Sequence, residues 1–258
     1  MKLSIVIPAY NEEKRIGKTL EEYGKFFEEL RKKKMLEYEI LVVINNTKDK
    51  TEEIVREKIK VNKNIRYLNF IKGGKGFAIT EGFKDALKRD NDIIGFVDAD
   101  MATSSEAFYD LVKNIGNSGG AIANRYSKHA KINISLKRKI ISRVFNFLVR
   151  IIFIMPYRDT QCGAKIFRRK VLEKVMPSLG MTAWAFDLDL LYQCKKSGIK
   201  LNQIATVWQD KGDSKMNLKR DSIKMLMAAF QLRILNSPIS HFWKVLGPIA
   251  GILWRIVK

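Results

Sequence analysis

Two aspartates one residue apart, Asp98 and Asp100, close the apolar run Ile93-Ile94-Gly95-Phe96-Val97. An apolar run of that length bounded by polar residues has the pattern of a buried strand. Side chains alternate along a strand, so both carboxylates point the same way at its end. Converging carboxylates repel unless a cation sits between them. Mg²⁺ or Mn²⁺, shared between one or two carboxylates and substrate phosphates, meets that need. Asp-x-Asp alone equally describes a polar strand end entering a turn, so the elements that position it have to decide.

Strands are predicted over residues 3–7, 38–44, 65–70 and 93–97, the first stopped by Pro8, with a short further one over 119–124 leading to Arg125. Between them lie helical patterns. Asn11 is placed to cap a helix carrying Ile16, Leu20, Tyr23, Phe27 and Leu30 on one face. Asp49 with Glu52, and Thr103 with Glu106, have capping-box spacing for helices reaching about Lys60 and Ile115. Gly73-Gly74-Lys75-Gly76 opens a helix in which Ile79, Phe83, Ala86 and Leu87 share a face. Glycines and a lysine at a helix start suit a phosphate, but the spacing is neither that of a P-loop nor G-x-G-x-x-G, and a plain turn explains them as well.

This alternation predicts an α/β fold with an open, mostly parallel sheet and helices on both faces. Such sheets bind ligands at the carboxyl ends of their strands. Pro8-Ala9-Tyr10-Asn11-Glu12, the loop over residues 45–49, the glycine turn and Asp98-Ala99-Asp100 all fall there. Their convergence is the physical argument for one site.

The 258 residues carry a net charge of +21, which points to a nucleic acid, an anionic membrane surface or a phosphorylated substrate. Cys162 and Cys194 are far apart without metal-site spacing, so a reducing cytoplasmic setting is expected. The first residues lack the pattern of a signal peptide, and no stretch reaches the roughly 20 clean apolar residues of a spanning helix. Residues 140–155 and 242–257 come near but contain cations. In the first, Ile141, Phe145, Leu148, Ile152 and Met155 are apolar while Arg143 and Arg150 interrupt. An interfacial membrane helix over about 139–156 is the favoured reading, and a core helix with snorkelling arginines the other.

Further on, Arg158-Asp159-Thr160-Gln161-Cys162-Gly163-Ala164-Lys165 is polar with no obvious structural job. A strand is expected at Ile166-Phe167, a short helix over 170–179 broken near Pro177, a helix starting at the Trp184-Ala185-Phe186-Asp187 stretch, a strand over 201–208, and a helix over 219–235. Asp187 and Asp189 cannot both face the core; one of them reaching the site from the helix start is one reading, and acids favoured there by the helix dipole is the other. The tail, residues 236–258, has tryptophans at both ends of an apolar stretch, as suits a headgroup interface.

In order along about residues 1–235, several motifs together resemble an inverting family 2 glycosyltransferase of the GT-A (Rossmann-like) fold. They are Pro8-Ala9-Tyr10-Asn11-Glu12, Gly74-Lys75-Gly76, Asp98-Ala99-Asp100, Asp159-Thr160-Gln161-Cys162-Gly163, Trp184-Ala185-Phe186-Asp187 and Trp208 with Ser214-Lys215. The set is most similar to the dolichyl-phosphate glucosyltransferase branch, related to the dolichyl-phosphate mannose synthases.

The resemblance implies one transferase domain over 1–235 with C-terminal amphipathic interfacial helices and a membrane-proximal tail over 236–258. Pro8, Tyr10, Asn11, Glu12, Asn45, Lys75, Gly76, Ala99 and Gln161 would serve the nucleotide-sugar donor, a UDP- or GDP-hexose. Asp98 and Asp100 would hold Mg²⁺ or Mn²⁺. Arg125, Arg138 and Lys215 would neutralise diphosphate or lipid phosphate, and Asp187 with Gln161 would line the sugar pocket. The acceptor would be polyprenyl or dolichyl phosphate at the cytoplasmic face of a membrane. Where the family usually has two acidic residues, Gly and Ser, this chain has Ile44-Asn45-Asn46-Thr47, with Asp49 and Thr51 retained, which leaves the donor base open. Ala102 stands where the mannose synthases offer a glutamine to the metal. The alternatives are transfer from GDP-mannose, a soluble or polysaccharide acceptor and, outside enzymes, a nucleic-acid-binding module. The cations cluster beside apolar helices rather than among exposed aromatics, so no nucleic-acid partner is expected.

Overall fold

A computed structural model describes residues 1–180, 185–209 and 218–237, apart from the side chains of Asn133, Lys137, Arg138 and residues 218–222. Strands β1 (Lys2–Ala9), β2 (Glu37–Asn45), β3 (Ile65–Phe70) and β4 (Ile93–Val97) alternate with helices α1 (Ile16–Lys32), α2 (Thr51–Val61), α3 (Lys75–Leu87) and α4 (Ser105–Lys113). After β5 (Gly120–Asn124) come β6 (Lys131–Asn133), α5 (Leu136–Phe153), β7 (Ala164–Arg168), α6 (Arg169–Val175) and a 3₁₀ turn (Met176–Ser178). The described chain ends with α7 (Phe186–Lys196), β8 (Leu201–Ala205), β9 (Val207–Gln209) and α8 (Leu218–Leu235).

Seven strands form one sheet in the order β3-β2-β1-β4-β7-β5-β8. The predicted mostly parallel sheet is present: β1 pairs in parallel with β2 and β4, β2 with β3, and β5 with β8. The exception is β7, antiparallel to both β4 and β5. A second, two-stranded sheet pairs β6 with β9, and an isolated bridge joins Thr103 to Trp208.

Strand alternation sorts the core into two layers. Leu3, Ile5, Ile7, Ile40, Val42 and Ile44 face one side, against Leu20, Tyr23 and Phe27 of α1, Val55 of α2 and Phe108 of α4. Val6, Leu41, Val43 and Phe96 face the other, with Phe83 of α3, Leu172 of α6 and Leu190 of α7. Full burial of each such side chain stabilises by about 1.5–3 kcal/mol, so the core holds the strand ends in fixed register.

Several local expectations are corrected. Pro8 does not stop the first strand, which pairs with β2 as far as Ala9. Pairing with β4 ends at Val6, so by Pro8 the strand has lost one neighbour, a setting that tolerates a missing N–H. Asn11 does not cap α1, which begins at Ile16; its side chain instead accepts the Lys48 N–H at 2.8 Å. Asp49 does accept the Thr51 N–H at 3.0 Å, but Glu52 pairs with Arg56 rather than closing a box. Ser104, not Thr103, caps α4, accepting from the Ala107 N–H at 3.2 Å. The strand expected over 201–208 is two strands belonging to different sheets. Trp184, Ser214, Lys215 and the apolar tail lie outside the described residues.

Candidate active site

The carboxyl ends of β1, β2 and β4 open into turns that each contain a residue in left-handed backbone: Asn11 (φ 52°), Asn46 (φ 46°) and Met101 (φ 58°). Among residues other than glycine, asparagine tolerates that region best. Methionine does not, and Met101 is held by its neighbours: Asp100 Oδ1 accepts the Ala102 N–H at 3.0 Å. Helix α1 steadies the same turn from below. The Thr19 hydroxyl donates to the Ala99 carbonyl at 2.7 Å, and the buried Tyr23 hydroxyl to that of Thr103 at 2.9 Å. In sequence Thr19 is merely polar and Tyr23 merely part of the apolar face, so neither signals this role.

The donor-side loops are laced together by side chain to backbone bonds. Glu12 N–H donates to Thr51 Oγ1 at 2.8 Å, and Glu13 N–H to Asp49 Oδ2 at 3.1 Å. The Glu12 carboxylate takes both Nε and Nη2 of Arg15 at 2.6 Å. Pro8 lies in β1, and Tyr10 beyond its end is exposed. Asn45 is buried, and its amide joins two loops: Nδ2 donates to the Ala9 carbonyl at 2.9 Å, and Oδ1 accepts the Gly74 N–H at 3.0 Å. Gly74 has φ 129°, a backbone open to glycine, and it leads directly into Lys75 and the buried Gly76 at the start of α3.

Lys75 Nζ pairs with Asp98 Oδ1 at 2.5 Å. Desolvation works against that ammonium, yet the carboxylates of Asp98, Asp187 and Asp100 hold its pKa well above the ordinary lysine value. Desolvation raises the Asp98 carboxyl; Lys75 pulls it down, and Asp100 pushes it up. Asp98 also lies against Gly163, where a Cβ would overlap its carboxylate, and its N–H donates to the Gly163 carbonyl at 3.1 Å.

The polar stretch before β7 therefore has a structural job that its sequence did not announce. Asp159, fully buried, accepts from Arg125 at its backbone N–H (3.0 Å), Nε (2.8 Å) and Nη2 (2.9 Å). Burial alone would raise the Asp159 carboxyl, but Arg125 brings it below the ordinary range. The guanidinium lies 5.4 Å from the Trp208 ring. Thr160 donates from both N–H and Oγ1 to Asn146 Oδ1 on α5, at 2.9 Å each. Gln161 reaches toward α8, with Nε2 3.8 Å from the Met225 sulfur. Lys165, on β7, is fully buried and donates to the Cys162 carbonyl at 2.7 Å and to Asp187 Oδ1 at 2.5 Å.

Of the two acids at the start of α7, Asp189 is the inward one, accepting from Gly180 N–H (2.8 Å) and Gln193 Nε2 (2.9 Å). Asp187 is the one turned toward the acid pair, close enough to act on both Lys75 and Asp98. Among the described residues no three His, Cys, Asp or Glu side chains form a self-sufficient metal cluster. Two hard carboxylates at a strand end have the chemistry to share a divalent cation with substrate phosphates. Arg138 lies in α5 with its side chain outside the described set, and Lys215 is wholly outside it.

The sequence matches Glycosyl transferase family 2 over residues 4–176. The chain belongs to that family. It is 30% identical over 255 residues to dolichyl-phosphate beta-glucosyltransferase of Dictyostelium discoideum, across 94% of this chain and 76% of that one. It is 32% identical over 245 residues to the Saccharomyces cerevisiae protein of the same name, across 86% and 71%. Glucosyl-3-phosphoglycerate synthase from Mycobacterium tuberculosis, solved in complex with Mn²⁺, UDP and phosphoglyceric acid, has a TM-score of 0.66 at 14% identity, over 92% of this chain and 80% of that one. That likeness shows the fold alone. With the family in place the protein is a glycosyltransferase, and the loops at the carboxyl ends of β1, β2 and β4 are its candidate active site.

Helix α5 carries two apolar faces. Phe145, Val149, Phe153 and, just beyond, Met155 are buried. Of the predicted face, Phe145 and Met155 are thus turned inward, Ile141 and Ile152 are half-buried, and Leu148 is exposed. A second stripe, Leu136, Ile140, Val144, Phe147 and Ile151, with Ile154 beyond, is exposed, Phe147 at 60%. Ile223 and Phe230 of α8 are also exposed. No helix among the described residues is long and apolar enough to cross a membrane.

Proposed function

We propose that this glycosyltransferase moves a hexose, of glucose type, from a nucleotide sugar to a polyprenyl (dolichyl) phosphate, with inversion, at a membrane surface. One observation carries the reading: the segment that shapes the acid pair, through Gly163 on Asp98, is bonded at Thr160 to Asn146 of the helix whose other face is an exposed apolar stripe. The glucosyltransferase names of the relatives support the sugar and the acceptor.

The chemistry suits such a site. A lipid monophosphate is already anionic near neutral pH, its second pKa being about 6, so it needs little help from a general base. The harder task is to bring two polyanions together and stabilise the departing diphosphate. Asp98 and Asp100 would hold Mg²⁺ or Mn²⁺, which when bound supplies charge neutralisation to the diphosphate. Lys75 lies beside Asp98 to serve the same phosphates, while Pro8, Tyr10, Asn11 and Glu12 border the donor pocket. Asn45 and Ala99 serve through the loops they bond: Asn45 by fixing Ala9 and Gly74, Ala99 by its carbonyl on Thr19. Arg125 acts as the buried anchor of the Asp159 segment, and Arg138 and Lys215 supply acceptor-side cations. The exposed stripe of α5 rests on lipid, where the basic chain (net +21) meets an anionic surface.

Purified protein incubated with UDP-glucose or GDP-mannose, Mn²⁺ and a short polyprenyl phosphate is expected to yield a glycolipid of the corresponding mass, with UDP-glucose the better donor. Absence of lipid product with every donor, or full activity in Asp98→Asn and Asp100→Ala, overturns the proposal.

A further inference from the structure

Lys165 is a fully buried lysine on a central strand, paired across the sheet with Phe96. Its ammonium lies 5.2 Å from the Phe96 ring and binds the Cys162 carbonyl and Asp187 Oδ1. Lys75 lies on the same ring, at 5.9 Å, and binds Asp98. Phe96 therefore has two ammonium groups near its ring, each paired with one carboxylate.

An acid in the first turn of a helix is already favoured by the helix dipole and by water. Asp187 does not need a buried cation to sit there. Burying an ammonium carries a large desolvation cost, which close partners must offset. That cost is understandable if the lysine fixes where the carboxylate points. Lys165 takes Oδ1, and among the described residues Oδ2 of Asp187 has no hydrogen-bond partner. The charges also tally. Asp98, Asp100 and Asp187 give three negative charges and Lys75 and Lys165 two positive, leaving one net negative charge. One divalent cation turns that into a net positive site, suited to an anionic donor.

We propose that Lys165 is a positioning residue: it fixes Asp187 Oδ1 so that Oδ2 faces the transferred hexose as a hydrogen-bond acceptor for one of its hydroxyls. This rests on the glycosyl-transfer reading above and adds a residue that no motif in the sequence signals. A carboxylate held by a rigid partner keeps the sugar in line for attack, and small misplacements of such groups cost rate far more than ground-state affinity.

The test uses the full chain with Mn²⁺, UDP-glucose and a short polyprenyl phosphate, and compares Lys165→Met, Lys165→Arg, Asp187→Asn and Lys165→Met/Asp187→Asn. Lys165→Met and Asp187→Asn are each expected to lower kcat by about 100-fold. Calorimetric affinity for UDP with Mn²⁺ should change by less than about threefold. The double variant should be no slower than Asp187→Asn, and Lys165→Arg should recover part of the rate. Multiplying losses in the double variant, or a fall in UDP affinity as large as the fall in rate, overturns the proposal. If Lys165→Met does not fold, the double variant removes both charges together, and its kcat against Asp187→Asn alone decides. If the wild type glycosylates no lipid phosphate, the acceptor reading fails. The same comparison is then made on slow hydrolysis of UDP-glucose by water, where an unchanged rate in Lys165→Met overturns the positioning role.

Discussion

The carboxylate of Asp98 occupies the place where a side chain on Gly163 would start, sixty-five positions later in the chain and just before the antiparallel strand β7. No side chain fits between them. Gly163→Ala must push the carboxylate away from its place beside Lys75 and Asp100. A displacement on the order of 1 Å at such a group costs roughly 100-fold in rate. Glycosyl-transfer kinetics should show that loss in kcat/KM together with weaker Mn²⁺ binding by calorimetry, while far-UV circular dichroism stays unchanged.

Asn45 needs both ends of its amide, one to donate to Ala9 and one to accept from Gly74. Asn45→Asp keeps the shape and loses the donor, leaving a buried carbonyl facing a carboxylate. The expected cost is about 1–3 kcal/mol, read as a lower urea midpoint. Restoring an acid of the kind usual in the family should therefore weaken, not strengthen, binding of UDP with Mn²⁺.

The Arg125–Asp159 pair is buried at the carboxylate and nearly so at the guanidinium. Arg125→Ala leaves an uncompensated charge and should destabilise by about 3–5 kcal/mol. The folded-state pKa of Asp159 lies below its ordinary value, because Arg125 outweighs burial. The pair's contribution is thus complete above the unfolded carboxylate value of about 3.9 and lost as pH falls toward the folded one. Urea titrations of wild type and Asp159→Asn should differ most near neutral pH and converge only as pH falls below about 3.9.

On α5 the two faces separate cleanly. Phe147→Glu and Ile151→Glu alter exposed positions, so the fold should change by no more than about 0.5 kcal/mol. Co-sedimentation with anionic phosphatidylserine vesicles at low salt should fall by about tenfold or more. Val149→Glu, two residues from Phe147 but fully buried, should unfold the protein instead. Vesicle binding that survives both exposed substitutions would remove α5 from the membrane contact.

Much of the fold was legible because its signals are local. Alternating strands and amphipathic helices up to β5 follow from period and punctuation, and the site loops follow from where parallel strands end. What stayed hidden depends on partners far along the chain. Asn11 satisfies the sequence rule for a helix cap, yet Lys48, thirty-seven positions on, claims its side chain. In sequence Asp159, Thr160 and Lys165 belong to a polar stretch with no obvious structural job. They are buried because Arg125, Asn146 and Asp187 arrive from other elements to neutralise or bond them. The strand β7 was recognisable only at Ile166-Phe167, since nothing local says that it enters the sheet backwards. The second apolar face of α5 carries no separate signal in sequence, because Val144, Phe147 and Ile151 repeat at the same helical spacing as the buried Phe145, Val149 and Phe153.

The reversed strand β7 has a practical consequence. Its beginning, not its end, arrives beside Asp98, so the connection leading into it belongs to the chemistry and the one leaving it does not. Arg168 and Arg169 emerge at the opposite rim, near Asp90, Asn91 and Asp92. Five residues of β4 separate that rim from Asp98, about 16 Å at strand rise. A fluorophore or surface tether at Asp90 would thus sit a full sheet depth from the acid pair, and the enzyme could be watched or immobilised from there without touching its substrates.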